Sequence, residues 1–296
     1  MASTTSGTSD PQMSDRPVDI RSVHPDEYWK VFEKRWTSLL SYRYLGRVNS
    51  GLDSNAGAEE MAVRHDMRNS LGGLLVAPLC IFSPEAGGMN DDESVPNPVI
   101  ASMQVVDDAR GVGKLHSIPE VVKLGRQMGF SRTLIVDDAD HSRVIAISEG
   151  MGISLGGTPG HYEKVDNPPI AIQDSPDLPP LHKVFGARRD AEGVWRLPEL
   201  SLELASPDAA LHLGPQHIVI ETAAMEAAAL LTGTDRLQAE SYHCMFVARG
   251  KVGPFRATVE AHLGSEGRVG TRVTLSDEGH GDRVVTSASL QFRVVS

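Results

Sequence analysis

The sequence is poor in cysteine and has no surplus of basic charge. Its 296 residues include two cysteines, Cys80 and Cys244, each within an apolar stretch. Two isolated cysteines give no support to a disulfide framework or a four-ligand zinc site, and both are expected to be small core residues. The net charge of −11 argues against an extended nucleic-acid footprint, because phosphate binding needs lysine and arginine concentrated on one face. A local basic patch for the phosphates of a small ligand remains compatible with this charge.

Long hydrophobic runs are also missing. No run approaches the roughly 20 apolar residues that a bilayer-spanning helix needs. The segment 1–12 is rich in serine and threonine and lacks the positive and apolar parts of a signal peptide. We therefore expect a soluble, cytoplasmic protein that does not bind membranes.

Several motifs of nucleotide and metal chemistry are absent from the sequence. It has no GxSxG elbow and no His/Asp cluster at metal-ligand spacing. The segment GVGKLHS at 111–117 lacks the full spacing of a phosphate loop and is not followed by a helix pattern. No cofactor or metal is expected.

The composition is that of a globular protein, with 40% hydrophobic and 23% charged residues. The length suits two domains of ordinary size. Five prolines between positions 167 and 180 interrupt regular structure and indicate a linker. The predicted organisation is a flexible tail (1–22), an N-terminal domain (23–166), a Pro-rich linker (167–182) and a C-terminal domain (183–296).

A packing helix is predicted near the N-terminus. Behind Pro25, which suits the first turn of a helix, apolar side chains recur at helical spacing at Tyr28, Phe32 and Trp36.

The same order of elements can be read on both sides of the linker. An apolar helix comes first, at 70–86 in the first half and at 214–231 in the second. Strand-like runs follow each helix, several of them with alternating apolar and polar residues. In the first half they are 98–108, 117–124, 131–138 and 141–149, and in the second 239–248, 254–263, 267–276 and 283–295.

Both predicted central helices are apolar nearly all round, so most of their surface must be buried. A sheet curled about each helix would supply that cover. The pattern predicts an α+β protein with two tandem units, each a curved antiparallel sheet wrapped around a long central helix. A generic α+β protein with two buried helices is the alternative.

One charged residue in helix 214–231 is not explained by packing. Glu221 lies in the run IVIETAAMEAAAL, and a lone buried carboxylate is costly unless it is paired. Its own helix face carries His217 one turn earlier and Ala224 and Ala228 one and two turns later. Glu226 lies about 140° around the helix, so the two acids do not form a pair. Alternatively, Glu221 faces a linker or an interface and is solvated.

The segment from His212 to Ala224, HLGPQHIVIETAA, resembles the central-helix motif of hotdog acyl-CoA thioesterases of the phenylacetate-pathway type. In that family a His-Gly-Gly opens the helix, and an acid nine positions after the histidine is catalytic. Here His212 matches the histidine, Gly214 the second glycine and Glu221 the acid, whereas Leu213 replaces the first glycine. The resemblance covers roughly residues 210–295 and implies two tandem hotdog domains that hydrolyse an acyl-CoA thioester.

The first predicted helix is complementary to the second. It carries Gly72 and Gly73 but has Cys80 where the family acid would stand. In the family, two domains pair, and a helix start from one meets the acid of the other. The resemblance therefore implies one site per chain, in which amides at the start of helix 70–86 polarise the thioester carbonyl and Glu221 acts as nucleophile or general base.

Further residues could assist at this site. Asn69 could orient the water or the carbonyl, although it could equally cap its own helix. His65 or His217 could steer the carboxylate, and Arg68 is either a substrate contact or a surface charge. By the resemblance, Gly214, Arg249 and Lys251 are expected at the substrate, the last two near the coenzyme A phosphates. A solvated hairpin tip explains Arg249 and Lys251 equally well.

Two other functions remain open. Enoyl-CoA hydratases and hydroxyacyl dehydratases share the architecture, but their Asp-x-Asn-Pro-x-His segment has no match here. A non-catalytic acyl-CoA binder or sensor is compatible with the departures at Leu213 and Cys80. The expected partner is an acyl-CoA, with no nucleic acid, and a homo-oligomer is expected.

Overall fold

The computed structural model describes residues 17–46, 60–83, 94–160 and 170–295. Within these residues an antiparallel sheet of 11 strands runs in the order β1-β3-β4-β5-β2-β10-β13-β12-β11-β7-β6, and β8 and β9 form a separate pair. The strands are β1 Glu60–Ala62, β2 Ser94–Val105, β3 Lys114–Leu124, β4 Met128–Asp137, β5 Asp140–Gly157, β6 Arg188–Arg189, β7 Trp195–Leu197, β8 Ala205–Ser206, β9 Ala210–Leu211, β10 Leu237–Phe246, β11 Phe255–Leu263, β12 Arg268–Asp277 and β13 Arg283–Val294. The helices are α1 Tyr28–Ser38, α2 Leu40–Leu45, α3 Val76–Phe82, α4 Leu181–Val184 and α5 Leu213–Thr232.

The sheet contains the same arrangement twice. Strands β2 to β5 follow α3, strands β10 to β13 follow α5, and within each group the first strand lies next to the last. The two groups join where β2 pairs antiparallel with β10, with Tyr242 opposite Met103 and Cys244 opposite Ala101. The predicted order of a helix followed by four strands is therefore confirmed in both halves, with strand ends displaced by up to eight residues, the largest difference being at the end of β5.

Alternation of side chains explains these strands. In β12, Val269, Thr271 and Val273 are buried, whereas Arg268 and Arg272 are exposed. An antiparallel sheet that is packed on one face and exposed to water on the other selects this pattern.

Helix α5 lies against the second group of strands and contacts β11, β12 and β13. It is capped at its start by His212, whose imidazole accepts a hydrogen bond from the Gly214 N–H, and at its end by Gly233 in the left-handed conformation. Its residues from Leu213 to Glu221 are all buried. The predicted helix 214–231 is confirmed.

Helix α3 is shorter than predicted. It begins at Val76 instead of residue 70, and residues 84–86 lie outside the described residues. The segment before it is a turn in which Arg68 bridges to Leu74 and Gly72 has φ +79°. Because that backbone conformation is left-handed, a right-handed helix cannot run through Gly72. The prediction of helix over 70–75 is wrong.

The N-terminal helices confirm the predicted packing helix but lie against the second half. The Leu40 N–H donates to the Glu203 carbonyl, and the ring of Tyr42 packs edge-on against His212. Ile20 is 1% exposed and lies in the core, so the flexible tail predicted over 1–22 cannot extend to this residue. Residues 1–16 lie outside the described residues.

The predicted linker is only partly visible, because 161–169 fall outside the described residues. From 170 to 180 the chain has no helix or strand, and α4 begins at Leu181. Among the helices described here, none combines the length and apolar character needed to cross a bilayer.

Candidate active site

Glu221 joins the two central helices. Its side chain leaves the middle of α5, is 2% exposed, and reaches the first residues of α3. Oε1 accepts a hydrogen bond from the Val76 N–H at 2.6 Å, and Oε2 accepts one from the Ala77 N–H at 2.7 Å. Glu221 therefore meets the amide end of α3, which begins at Val76 and not at the glycine-bearing start expected near residue 70.

The start of α3 explains why these two amides are available. The first N–H groups of a helix have no partner within the helix, and they carry the positive end of its dipole. The Leu75 N–H donates to the Met67 carbonyl, and Pro78 has no N–H. Val76 and Ala77 therefore supply two donors that the carboxylate of Glu221 satisfies together.

Burial sets the acidity of this carboxylate. It raises the pKa of Glu221 to about 7, while the hydrogen bonds from Ala77 and Val76 act in the opposite direction. Desolvation outweighs the two hydrogen bonds because the charged form has left water entirely. A carboxylate with a pKa near neutrality can accept a proton from water more readily than an ordinary glutamate.

His217 lies one turn before Glu221 and is fully buried. Its Nδ1 is 2.7 Å from the hydroxyl of Tyr242 on β10, and its ring packs edge-on against Tyr242 and Phe246. The ring is therefore oriented by β10, and its steering of the Glu221 carboxylate stays a prediction.

The two glycines do not offer free amides. The Gly72 N–H donates to the Asn69 carbonyl at 3.0 Å, and the Gly73 N–H donates to Asn69 Oδ1 at 2.9 Å. The expectation that Gly72 and Gly73 open the helix and polarise a carbonyl is wrong in this geometry. The amides at the helix start belong to Val76 and Ala77.

Asn69 and Gly73 instead dock the first half of the chain on the second. Asn69 Nδ2 donates to the Leu237 carbonyl and to Gln238 Oε1, at 3.1 and 3.0 Å. A Gly73 Cβ would come too close to Gln238 Oε1, so any larger residue here would displace the Gln238 side chain from Asn69. Asn69 neither caps α3 nor contacts Glu221 through these bonds, and it organises the turn that leads into α3.

Arg68 and His65 lie in the same segment. The guanidinium of Arg68 donates to the carbonyls of Gly72, Ala109 and Val112, and burial lowers its pKa. Arg68 therefore clamps this turn. His65 is exposed, and its N–H donates to the Asp174 carboxylate. These contacts assign neither residue to Glu221.

The expected substrate-binding residues have protein partners. A Cβ at Gly214 would lie 2.6 Å from Cβ of Ser41, so this glycine allows α2 to pack closely on α5. Arg249 forms an ion pair with the buried Asp208 at 2.5 Å, and Lys251 Nζ donates to the Asp208 carbonyl. A role for Arg249 and Lys251 at coenzyme A phosphates stays a prediction.

The sequence reasoning missed Val76 and Ala77 because backbone donors leave no mark in side-chain chemistry. A local signal did exist, since Pro78 favours the first turn of a helix and its position places the helix start near residue 76. Tyr242 and Gln238 were missed because they reach His217 and Asn69 only through tertiary contacts.

Comparisons with known proteins identify the fold. No protein-family model matches the chain, and no curated protein matches it. An acyl-CoA thioesterase II, TesB2, from Mycobacterium marinum is 13% identical, with 86% of this chain and 98% of that chain covered and a TM-score of 0.57. A candidate oleoyl thioesterase from Lactobacillus plantarum is 12% identical, with 83% and 99% covered and a TM-score of 0.56. A conserved protein with a hot dog fold from Alicyclobacillus acidocaldarius is 9% identical, with 82% and 94% covered and a TM-score of 0.52. The chain therefore has the hotdog fold.

Proposed function

We propose that the chain is a tandem of two hotdog domains that hydrolyses an acyl-CoA thioester, with Glu221 as the catalytic carboxylate. One observation carries the proposal: a buried glutamate from α5, with its pKa raised to about 7, is held at the amide end of α3. The fold that this chain shares with thioesterase structures supports the same chemistry.

In the general-base route, Glu221 accepts a proton from water as the water oxygen adds to the thioester carbonyl. The tetrahedral intermediate then expels coenzyme A as a thiolate, which takes the proton from Glu221. The products are a carboxylic acid and the free thiol, and the glutamate returns to its starting state.

The helix start has a second role in this route. When Glu221 becomes protonated, its hold on two N–H donors weakens, because a carboxylic acid is a poorer acceptor than a carboxylate. The Val76 and Ala77 amides then become available to the carbonyl oxygen as negative charge develops on it. The same two donors thus hold the base before the reaction and stabilise the oxyanion during it.

In the nucleophilic route, a Glu221 oxygen attacks the carbonyl carbon and coenzyme A leaves as the thiolate. Water then hydrolyses the mixed anhydride. The two routes differ in the source of the new oxygen atom where water attacks the Glu221 carbonyl of the anhydride, because the first product then carries an unlabelled Glu221 oxygen. A single turnover in ¹⁸O-labelled water labels the acid product directly in the general-base route. Where water instead attacks the acyl carbon of the anhydride, one label also enters the product. Hydroxylamine then distinguishes the routes, because it traps the anhydride of the nucleophilic route.

Thiol release from aliphatic and aromatic acyl-CoAs tests the activity, with Glu221→Gln beside the unaltered chain. We expect release to fall by about 100-fold or more in the variant, within the range lost with a general base. Glu226→Gln is the matched control, because Glu226 lies on the same helix and binds Trp195 and Arg189 instead of α3. Release that is unchanged in Glu221→Gln removes this residue from the mechanism.

A non-catalytic acyl-CoA binder is the second candidate, and one observation favours it. Glu221 satisfies both amides at the start of α3, which is a structural task that requires no turnover. Calorimetric binding of an acyl-CoA without thiol release would support this reading. Release above the uncatalysed rate that depends on Glu221 would exclude it.

The expected homo-oligomer has a candidate surface on the outer face of the first group of strands. Ile118, Leu134 and Ile147 line a concavity of about 500 Å³ on this face. Arg132 lies between Glu120 and Glu149 in the neighbouring strands. We propose that a second copy packs here about a two-fold axis, because alternating charges around an apolar centre can complement themselves.

A further inference from the structure

At the turn between β4 and β5, far from α5 in sequence, two imidazoles and a carboxylate meet. His116 comes from β3, Asp138 from the turn itself, and His141 from the start of β5. One ligand atom from each of the three residues lies within 4.8 Å of the other two. No metal-ligand spacing is visible in the sequence because Asp138 lies 22 positions after His116.

The contacts around this cluster leave one of its polar atoms unsatisfied. Nδ1 of His116 is buried and has no hydrogen-bond partner among the described residues. It faces Asp138 Oδ1 at 3.8 Å, which is too long for a hydrogen bond. The rings of His116 and His141 stack at 4.6 Å with an angle of 24°, so binding one ion together requires the exposed His141 ring to turn about its side-chain bonds.

We propose that His116, Asp138 and His141 bind a divalent transition-metal ion, with Zn²⁺ as the best match. Two imidazoles and one carboxylate form a ligand set that zinc accepts, and water supplies the fourth position. Ligands at about 2.0–2.1 Å in a tetrahedron lie about 3.3 Å apart. The gap between His116 and Asp138 therefore needs to close by about 0.5 Å, and a pair at the 4.8 Å limit of the cluster by about 1.5 Å.

Lys114 limits the strength of the site. Its Nζ is 3.0 Å from Asp138 Oδ2 and 2.7 Å from Glu60 Oε2, so it occupies one oxygen of Asp138 and leaves Oδ1 toward His116. A fixed positive charge beside a metal ligand repels the ion. Removing this charge should therefore tighten binding, whereas removing a ligand should weaken it.

Titration calorimetry of the chelator-stripped full chain with ZnCl₂ tests the site. We expect one ion per chain. His141→Ala and His116→Asn should bind it at least about tenfold more weakly, because the loss even of a residue that only hydrogen-bonds to a metal ligand lowers affinity about 10- to 100-fold. We expect Lys114→Met to bind more tightly than the unaltered chain. His262→Ala, which removes an exposed histidine from β11, is the matched control and should bind as before.

Two results overturn the proposal: no saturable zinc binding, or binding that His141→Ala leaves unchanged. His141 is exposed near the start of β5, so its loss is compatible with folding, and circular dichroism verifies that each variant is folded. Unchanged binding by His141→Ala refutes this ligand set even where Lys114→Met binds zinc more tightly.

Discussion

Replacing Glu221 with glutamine should change how the stability of the chain depends on pH. In the folded chain, burial raises the pKa of Glu221 to about 7 from an ordinary value of 4.5. The folded state therefore binds a proton that the unfolded state has released between these two pH values. Stability contributed by the protonated form is fully present below pH 4.5 and is lost as the pH rises through 7.

The size of this loss follows from the two pKa values. At about 1.4 kcal/mol per pKa unit, the interval from 4.5 to about 7 corresponds to about 3 kcal/mol. Glutamine is neutral at every pH and has nearly the shape of the protonated glutamic acid. The variant should therefore keep this stability, and its free energy of unfolding should rise relative to that of the unaltered chain as the pH increases.

Urea unfolding of both chains between pH 5 and 8.5 measures this difference directly. Subtracting the two series cancels the titration of groups that they share. We expect the free energy of unfolding of Glu221→Gln, relative to the unaltered chain, to increase by about 2–3 kcal/mol over this range. The series for Glu226→Gln supplies the slope for a half-buried carboxylate of the same helix. A difference that is flat, or that moves toward the unaltered chain, would refute the raised pKa.

Two further predictions concern activity and assembly. Because the base must be ionised, the rate of thiol release should fall as the pH drops through about 7, by nearly tenfold per pH unit below that value. A rate profile from pH 5 to 9 measures this fall. A rate that is constant over that range contradicts a base with this pKa. Light scattering after gel filtration should show a mass that is a multiple of the 31.9 kDa chain mass. Arg132→Glu should shift the measured mass toward that of the monomer, because it places like charges together. An unaltered chain that elutes as a monomer refutes the proposed surface.

The strands and α5 could be predicted because their signals are local. In β12 the alternation of valines with arginines follows from one buried and one exposed sheet face. Helix α5 is a long run of small and apolar residues bounded by His212 and Gly233, both visible in the sequence. Neither element depends on a distant residue for its identity, although the sheet determines where it packs.

The start of α3 could not be predicted in the same way, because distant contacts determine it. Residues 70–75 are apolar or small and fit a helix pattern, yet Asn69 is bonded to Leu237 and Gln238 on β10. These bonds, together with the left-handed Gly72, favour a turn over a helix. A partner 168 positions away along the chain leaves no periodic signal in the sequence.

Glu221 makes a contact that links the two halves of the chain. A lone carboxylate in an apolar helix is unfavourable within α5, and two unpaired amides are unfavourable within α3. Each half therefore carries buried polar groups that are satisfied by the other half. The resulting contact places a carboxylate of raised pKa against two N–H donors. The same contact that stabilises the joint between the halves thus creates the chemistry proposed for it. An isolated half would lose both.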